Sequence, residues 1–281
     1  MITDEPDTDL GAGLVRLRLE LSYDGADFAG WATQPGQRTV LGVLSEALDV
    51  LMPSSSSVIV AGRTDAGVHA TGQVAHVDVS DRDWAAIGDL RARLAGVLPH
   101  DVRVREVHKA PSSFDARFAA LWRRYVYRIS DSPWGVEPLR RIDTLHWRRA
   151  LDGDAMQRAG TAMCGTHDFA AYCRRRDGAT TIRELQRLRV VRTGHVLEVD
   201  LRADAFCHSM VRSLIGALLA VGDGRRPWEW PATLLTIPSR AGDVQVAPPH
   251  GLTLVEVAYP AEGHFNTRVA TTRAIRSMVE S

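Results

Sequence analysis

An α+β fold built from two βαββαβ halves is what this 281-residue sequence predicts, and three observations carry the prediction. Apolar and polar residues alternate in several strand-length stretches, first in Leu14 to Tyr23, where Val15, Leu17, Leu19 and Leu21 interleave with Arg16, Arg18, Glu20 and Ser22. Stretches with helical spacing separate them, such as Leu41, Leu44, Leu48 and Leu51. The order strand, helix, strand, strand, helix, strand then occurs twice along the chain.

In the first half the strand at 14–23 leads into a glycine-rich loop with three aromatics, Tyr23 to Trp31, and then into a helix capped by Thr39. The apolar run Ser57 to Val60 and the alternating stretch Gln73 to Val79 are a strand pair. A second helix from about Asp83 carries Trp84, Ile87, Leu90, Leu94 and Val97 and ends at Pro99, and Val102 to His108 closes the half as a strand. The second half repeats the order: a strand at 121–130, a helix at 153–163, strands at 183–192 and 196–203, a helix at 208–221 and a strand at 252–259. This is the ferredoxin-like, split βαβ order, also used by RNA-recognition modules that present a four-stranded sheet. Two such halves give an extended, mainly antiparallel sheet with helices on one side and a cleft on the other. The predicted boundaries are an acidic disordered tail at 1–12, an N-terminal half at 13–110, a C-terminal half at 111–261 and a loosely held tail at 262–281. Residues 221–250 read as a Gly/Pro-punctuated insertion with a short helix near Trp228 to Ile237.

A hydrophobic content of 45% supports a sizeable core. No apolar run approaches the roughly 18 to 20 residues of a membrane span, and the acidic start does not resemble a signal peptide, so a cytoplasmic protein without membrane attachment is expected. Three cysteines, Cys164, Cys173 and Cys207, without C-x-x-C spacing, read as free and mostly buried thiols and argue against a zinc site. The 34 basic and 34 acidic residues cancel overall but are segregated. Residues 103–192 hold 19 Lys+Arg, 18 of them arginine, against 10 Asp+Glu, a local +9. Arginine grips phosphate bidentately and stacks on bases, so a polyanionic partner is expected.

Three stretches carry chemistry. In Ala61-Gly62-Arg63-Thr64-Asp65-Ala66-Gly67-Val68-His69-Ala70 one carboxylate and one guanidinium lie between two glycines, in a polar loop held between strands. The strand Leu121 to Ile129 alternates arginines with aromatics, with Arg123, Tyr125, Tyr127 and Ile129 on one face and Trp122, Arg124, Val126 and Arg128 on the other. Phe206-Cys207-His208-Ser209-Met210-Val211-Arg212 opens a helix in which Arg212 falls among apolar positions and therefore needs an acidic partner. Arg174-Arg175-Arg176 before Asp177-Gly178 reads as a phosphate-contacting loop.

The Gly62 to His69 loop, the Arg123 to Tyr127 strand and the Phe206 to Arg212 segment resemble the three signature motifs of the tRNA pseudouridine synthase A family. Tyr23-Asp24-Gly25 to Gly30-Trp31 and Gly165 to Phe169 extend the resemblance over about residues 14–260. It implies a cofactor-independent isomerase that converts uridine to pseudouridine at positions 38, 39 and 40 of the tRNA anticodon stem-loop, acting as a homodimer. By position, Asp65 matches the family's essential aspartate, Tyr125 the tyrosine against the target base and Arg212 the arginine that pairs with the aspartate. Arg63, Thr64, His69, Phe206 and His208 fall on substrate-binding positions, and no metal is implied. Cys207 and Ser209 depart from the bulkier or more polar residues common beside His208, and overall neutrality is unusual for a tRNA binder. The alternatives are a glycosidic-bond hydrolase, which would want two paired carboxylates, and a non-catalytic RNA-binding protein.

Overall fold

The computed structural model describes Gly11, residues 13–174 and residues 180–273. The predicted acidic tail falls outside them except for Gly11, as do Arg175 and Arg176 of the arginine triplet. The protein is a mixed α+β structure with ten strands and seven α-helices among the described residues, divided into two compact units.

Among the described residues the first unit comprises Gly11 and residues 13–121 together with a returning segment, residues 257–273. Its elements are β1 (Leu14–Tyr23), α1 (Val40–Leu51), β2 (Ile59–Val60), β3 (His69–Ser80), α2 (Asp81–Ile87), α3 (Leu90–Val97) and β4 (Val102–Ala110). β1 is the middle strand, antiparallel to β3 with Leu17 opposite Val77 and to β4 with Leu19 opposite Val107. Leu17, Leu19 and Leu21 are fully buried, as the alternation predicts. Thr39 caps α1 by accepting the Gly42 N–H at 3.2 Å. The buried stripe of α1 is Val40, Leu44, Ala47 and Leu48, so Leu41 and Leu51 sit at the edge of the expected apolar face.

One expectation changes. The single helix read from Asp83 to Pro99 is two helices, because Gly88 takes φ 68° and Asp89 starts a new helix by accepting the Ala92 N–H at 3.0 Å. Ile87, Leu90 and Leu94 still face the core, so apolar spacing alone could not reveal the break.

On the other face of β1 an aromatic cluster closes the unit. Phe114, fully buried, meets His76 at 6.0 Å, Tyr259 at 4.9 Å and Phe265 at 5.2 Å between ring centroids. The Arg18 guanidinium lies 5.0 Å from the Tyr259 ring centroid. Beyond Pro260, where the sequence predicts a loose tail, α7 (Phe265–Arg273) buries Phe265, and Arg268 donates to the Ala120 carbonyl.

His76 carries a pH signature. Its Nδ1 accepts the Ala116 N–H at 3.1 Å. Burial, assisted by the Arg16 charge and opposed by Asp115 and Asp78, pushes its imidazole down to about 4. The unfolded chain takes up this proton below about pH 6.5 and the folded chain only near pH 4. Stability is therefore retained above the unfolded value and lost as pH falls toward 4, by about 3 kcal/mol over the whole interval. His76→Asn keeps an acceptor for Ala116 and is expected to flatten this part of the stability profile in urea melts at about pH 7 and about pH 4. An unaltered pH slope would show that His76 is not the titrating group.

The second unit, residues 122–256, contains β5 (Trp122–Ser130), β6 (Leu145–His146), α4 (Gly153–Ala162), β7 (Gly165–Asp168), β8 (Ile182–Thr193), β9 (Val196–Ala203), α5 (Met210–Gly222), the single turn α6 (Trp230–Thr233) and most of β10 (Leu252–Ala258). β5, β9, β8 and β7 pair antiparallel in that order, and β6 runs parallel to its neighbour β5. Leu197, Val199, Leu201 and Ala203 of β9 are fully buried with Tyr127 and Ile129 of β5. In α5 every residue but Arg212 is buried, which is why the helix reads as apolar nearly all round. No helix among the described residues is long and apolar enough to cross a membrane.

Candidate active site

The Asp65 loop is held from two sides within the first unit. The glycine-rich loop that follows β1 wraps it through backbone bonds: Trp31 N–H donates to the Thr64 carbonyl at 3.0 Å and Gly67 N–H to the Phe28 carbonyl at 3.2 Å. Gly25 comes so close that a Cβ there would lie 2.0 Å from the Val68 carbonyl oxygen, so no other residue fits. Its N–H donates to His69 Nδ1 at 3.0 Å, and Asp24 Oδ1 lies 3.0 Å from the same nitrogen. That nitrogen carries either a lone pair, which accepts the Gly25 N–H, or a proton, which it can donate to Asp24, so it makes one of the two bonds at a time. His69 is buried and acts as a strut of the loop, whereas Arg63 is exposed and Asp65 half-buried.

Beneath the loop lies a polar cluster that the motif reading missed. Gln73, with 0% exposure, donates to the Gly62 carbonyl at 2.8 Å and to the Tyr23 hydroxyl at 3.2 Å. The Tyr23 hydroxyl is 2.8 Å from Thr64 Oγ1. Burial pushes the Tyr23 hydroxyl up to about 12 despite the Thr64 and Gln73 bonds, so it is a neutral phenol at physiological pH. The signal was a glutamine entering an uninterrupted run of buried positions; a buried carboxamide must find partners.

Within the second unit, Tyr125 is 7% exposed and meets Phe206 edge to face, centroids 5.2 Å apart. Phe206 and His208 sit on the loop between β9 and α5. Buried Arg123 donates to the Asp204 carbonyl at 2.7 Å, and Asp204 Oδ1 accepts the Glu184 N–H at 2.9 Å, which pins the start of this loop. At its end Ser209 adopts φ 65°, the one non-glycine residue with positive φ among the described residues, so α5 starts at Met210 rather than at His208.

Arg212 is half-buried in the first turn of α5. Its Nε donates to the Ala247 carbonyl at 2.8 Å, and Ala247 N–H returns a bond to the Arg212 carbonyl at 3.0 Å. The same segment supplies the Pro248 carbonyl to the Tyr127 hydroxyl at 2.8 Å. Burial drives that phenol far above its ordinary value, with the Arg212 charge acting against it. Residues 245–251, read from sequence as the end of an insertion, are thus a strap that orients Arg212 and braces the tyrosine strand.

The cysteines also differ from expectation. Cys173 and Cys207 are joined as a disulfide, with Cα atoms 5.8 Å apart across 34 residues, and Cys164 alone is a free thiol. Their sequence spacing carries no pairing signal, because the fold brings a turn after β7 against the loop before α5. Beside the bridge, Arg174 N–H donates to the His208 carbonyl at 3.0 Å.

The tRNA pseudouridine synthase family model matches residues 159–260, a span that includes Phe206, His208 and Arg212. Along nearly the whole chain the sequence is 58% identical to tRNA pseudouridine synthase A of Frankia casuarinae, covering 94% of this chain and 96% of that protein. It is 56% identical to that of Streptomyces griseus, covering 95% of each, and 51% identical to that of Mycobacterium leprae, covering 94% and 96%. With identity above 50% over nearly the full length of both chains in each case, the chain belongs to the tRNA pseudouridine synthase A family.

Proposed function

We propose that the protein isomerises uridine to pseudouridine at positions 38, 39 and 40 of the tRNA anticodon stem-loop, with Asp65 as the catalytic carboxylate and Arg212 as its charge partner. The observation that carries this reading is the Asp65 loop: a half-buried carboxylate on a loop fixed by backbone bonds from both flanks, in a chain of this family. The reaction breaks the N1–C1′ bond, turns the base and forms C5–C1′, while C5 loses a proton and N1 gains one. Atoms and oxidation state are conserved, so no cofactor is needed. A carboxylate stabilises either a cation at the sugar or an adduct at the base. The arginine balances its charge and aims it. A uridine in a stem must be flipped out at a cost of about a few kcal/mol, and Tyr125, backed by Phe206, offers the ring surface that offsets part of it. Arg63, Thr64, His69 and His208 complete the substrate contacts. The chain is read as two βαββαβ halves at residues 13–110 and 111–261, in a cytoplasmic homodimer.

The test is tRNA carrying tritium at uridine C5. Release of the label from an intact chain, lost when positions 38 to 40 are cytidine, is the expected result. An abasic site would make the protein a hydrolase, and tight binding without release a non-catalytic RNA binder.

A further inference from the structure

The cluster beneath the Asp65 loop has a direction. Gln73 is fully buried, and its amide group faces the Gly62 carbonyl at 2.8 Å, so that group is the NH2 and not the oxygen; two oxygens at that distance would repel. The carboxamide oxygen accordingly faces the Val74 N–H at 3.2 Å. The second amide hydrogen goes to the Tyr23 oxygen. Tyr23 has one proton, and since Gln73 Nε2 is itself a donor to the phenol, Thr64 Oγ1 is the acceptor that this proton reaches among the described residues, so Tyr23 is assigned as donor to Thr64. The chain therefore runs Gln73 to Tyr23 to Thr64, and the Thr64 proton is left to be donated on the side away from Tyr23.

Every member is buried: Gln73 at 0%, Tyr23 at 4% and Thr64 at 6% exposure. Gln73 and Tyr23 arise from β3 and β1, which are hydrogen-bonded neighbours, with Leu21 opposite Gln73. Rigid strands thus anchor the two ends of the segment Gly62 to Thr64 from below, and Asp65 is the next residue. We propose that Tyr23 and Gln73 are positioning residues that set the Asp65 carboxylate and direct the Thr64 hydroxyl proton toward the substrate side. This inference rests on Asp65 being the catalytic carboxylate. Neither Tyr23 nor Gln73 contacts the reacting atoms in this proposal; both act through Gly62 and Thr64.

The experiment compares Tyr23→Phe, Thr64→Val and Thr64→Ser by tritium release from C5-labelled tRNA, with kcat and KM determined separately. Tyr23→Phe keeps the ring and Thr64→Val the shape, so each removes the hydroxyl with little change in packing. Misplacement of a reacting group by about 1 Å costs on the order of 10²-fold, so kcat is expected to fall by about 10 to 10² in Tyr23→Phe and Thr64→Val, with KM within about twofold. Thr64→Ser restores the acceptor and is expected to recover most of kcat. A kcat near wild type in Tyr23→Phe, a loss confined to KM, or Thr64→Ser no better than Thr64→Val overturns the proposal. Should Tyr23→Phe unfold, as seen by circular dichroism, the comparison of Thr64→Val with Thr64→Ser decides alone. Asp65→Asn separates the two levels of inference. If it remains active, the catalytic assignment itself fails. If it is inactive while Tyr23→Phe is unimpaired, only the positioning role fails.

Discussion

Asp65→Asn is expected to lose at least about 10³-fold in kcat for tritium release while tRNA affinity, measured by filter binding, stays within about threefold. Asparagine has the shape of aspartate, so the loop and its bonds from Trp31 to Thr64 and from Gly67 to Phe28 are undisturbed. What disappears is the negative charge. Neither of the routes open to a lone carboxylate, covalent attack or electrostatic support of a sugar cation, survives that loss. The proposed tRNA binding rests on surface arginines and on stacking rather than on the Asp65 charge. Turnover within about tenfold of wild type would refute the assignment of Asp65 as the reacting group.

Gly216→Ala is expected to be the most disruptive single methyl in the second unit. A Cβ on Gly216 would lie 1.6 Å from the Gln245 carbonyl oxygen, and that atom is backbone, unable to swing aside like a side-chain tip. The helix is buried along both flanks of Gly216, so it cannot retreat either. Overpacking ordinarily costs about 1–3 kcal/mol, and a backbone collision in a closed site belongs at or above the upper end. For a chain of this size that lowers Tm by roughly 6–12 °C. The damage reaches the site, because Ala247, two residues beyond Gln245, carries the carbonyl that orients Arg212. Activity at a temperature where the variant is folded should therefore fall as well. A variant with wild-type Tm and kcat would show that the strap yields freely and does not position Arg212.

The legible part of the fold was the part set by short-range periodicity. Leu17, Leu19 and Leu21 alternate because β1 has two faces of different polarity, and Thr39 precedes α1 as a cap whose bond is local. The stop at Gly88 was hidden because Ile87, Leu90 and Leu94 keep facing the core across the break. Of the residues proposed for the site, Asp65, Tyr125 and Arg212 stood out by residue type in motif context. Gln73 did not, because its meaning depends on the Gly62 carbonyl 11 residues earlier and the Tyr23 hydroxyl 50 residues earlier. The strap at 245–251 and the Cys173–Cys207 bridge were invisible for the same reason: contacts made across 35 and 34 residues leave no trace in local spacing.

The return of the chain to the first unit has a consequence for synthesis. Phe265 packs on Phe114, the Tyr259 hydroxyl donates to the Ala116 carbonyl at 2.7 Å, and Arg268 ties down Ala120. A ribosome making this protein releases the residues that begin the first unit before any of these partners exists, and delivers the whole second unit before the first can be completed. The half that carries Asp65 is begun before the second unit and completed after it, so the nascent chain holds an open aromatic cluster around Phe114 until the helix that carries Phe265 emerges.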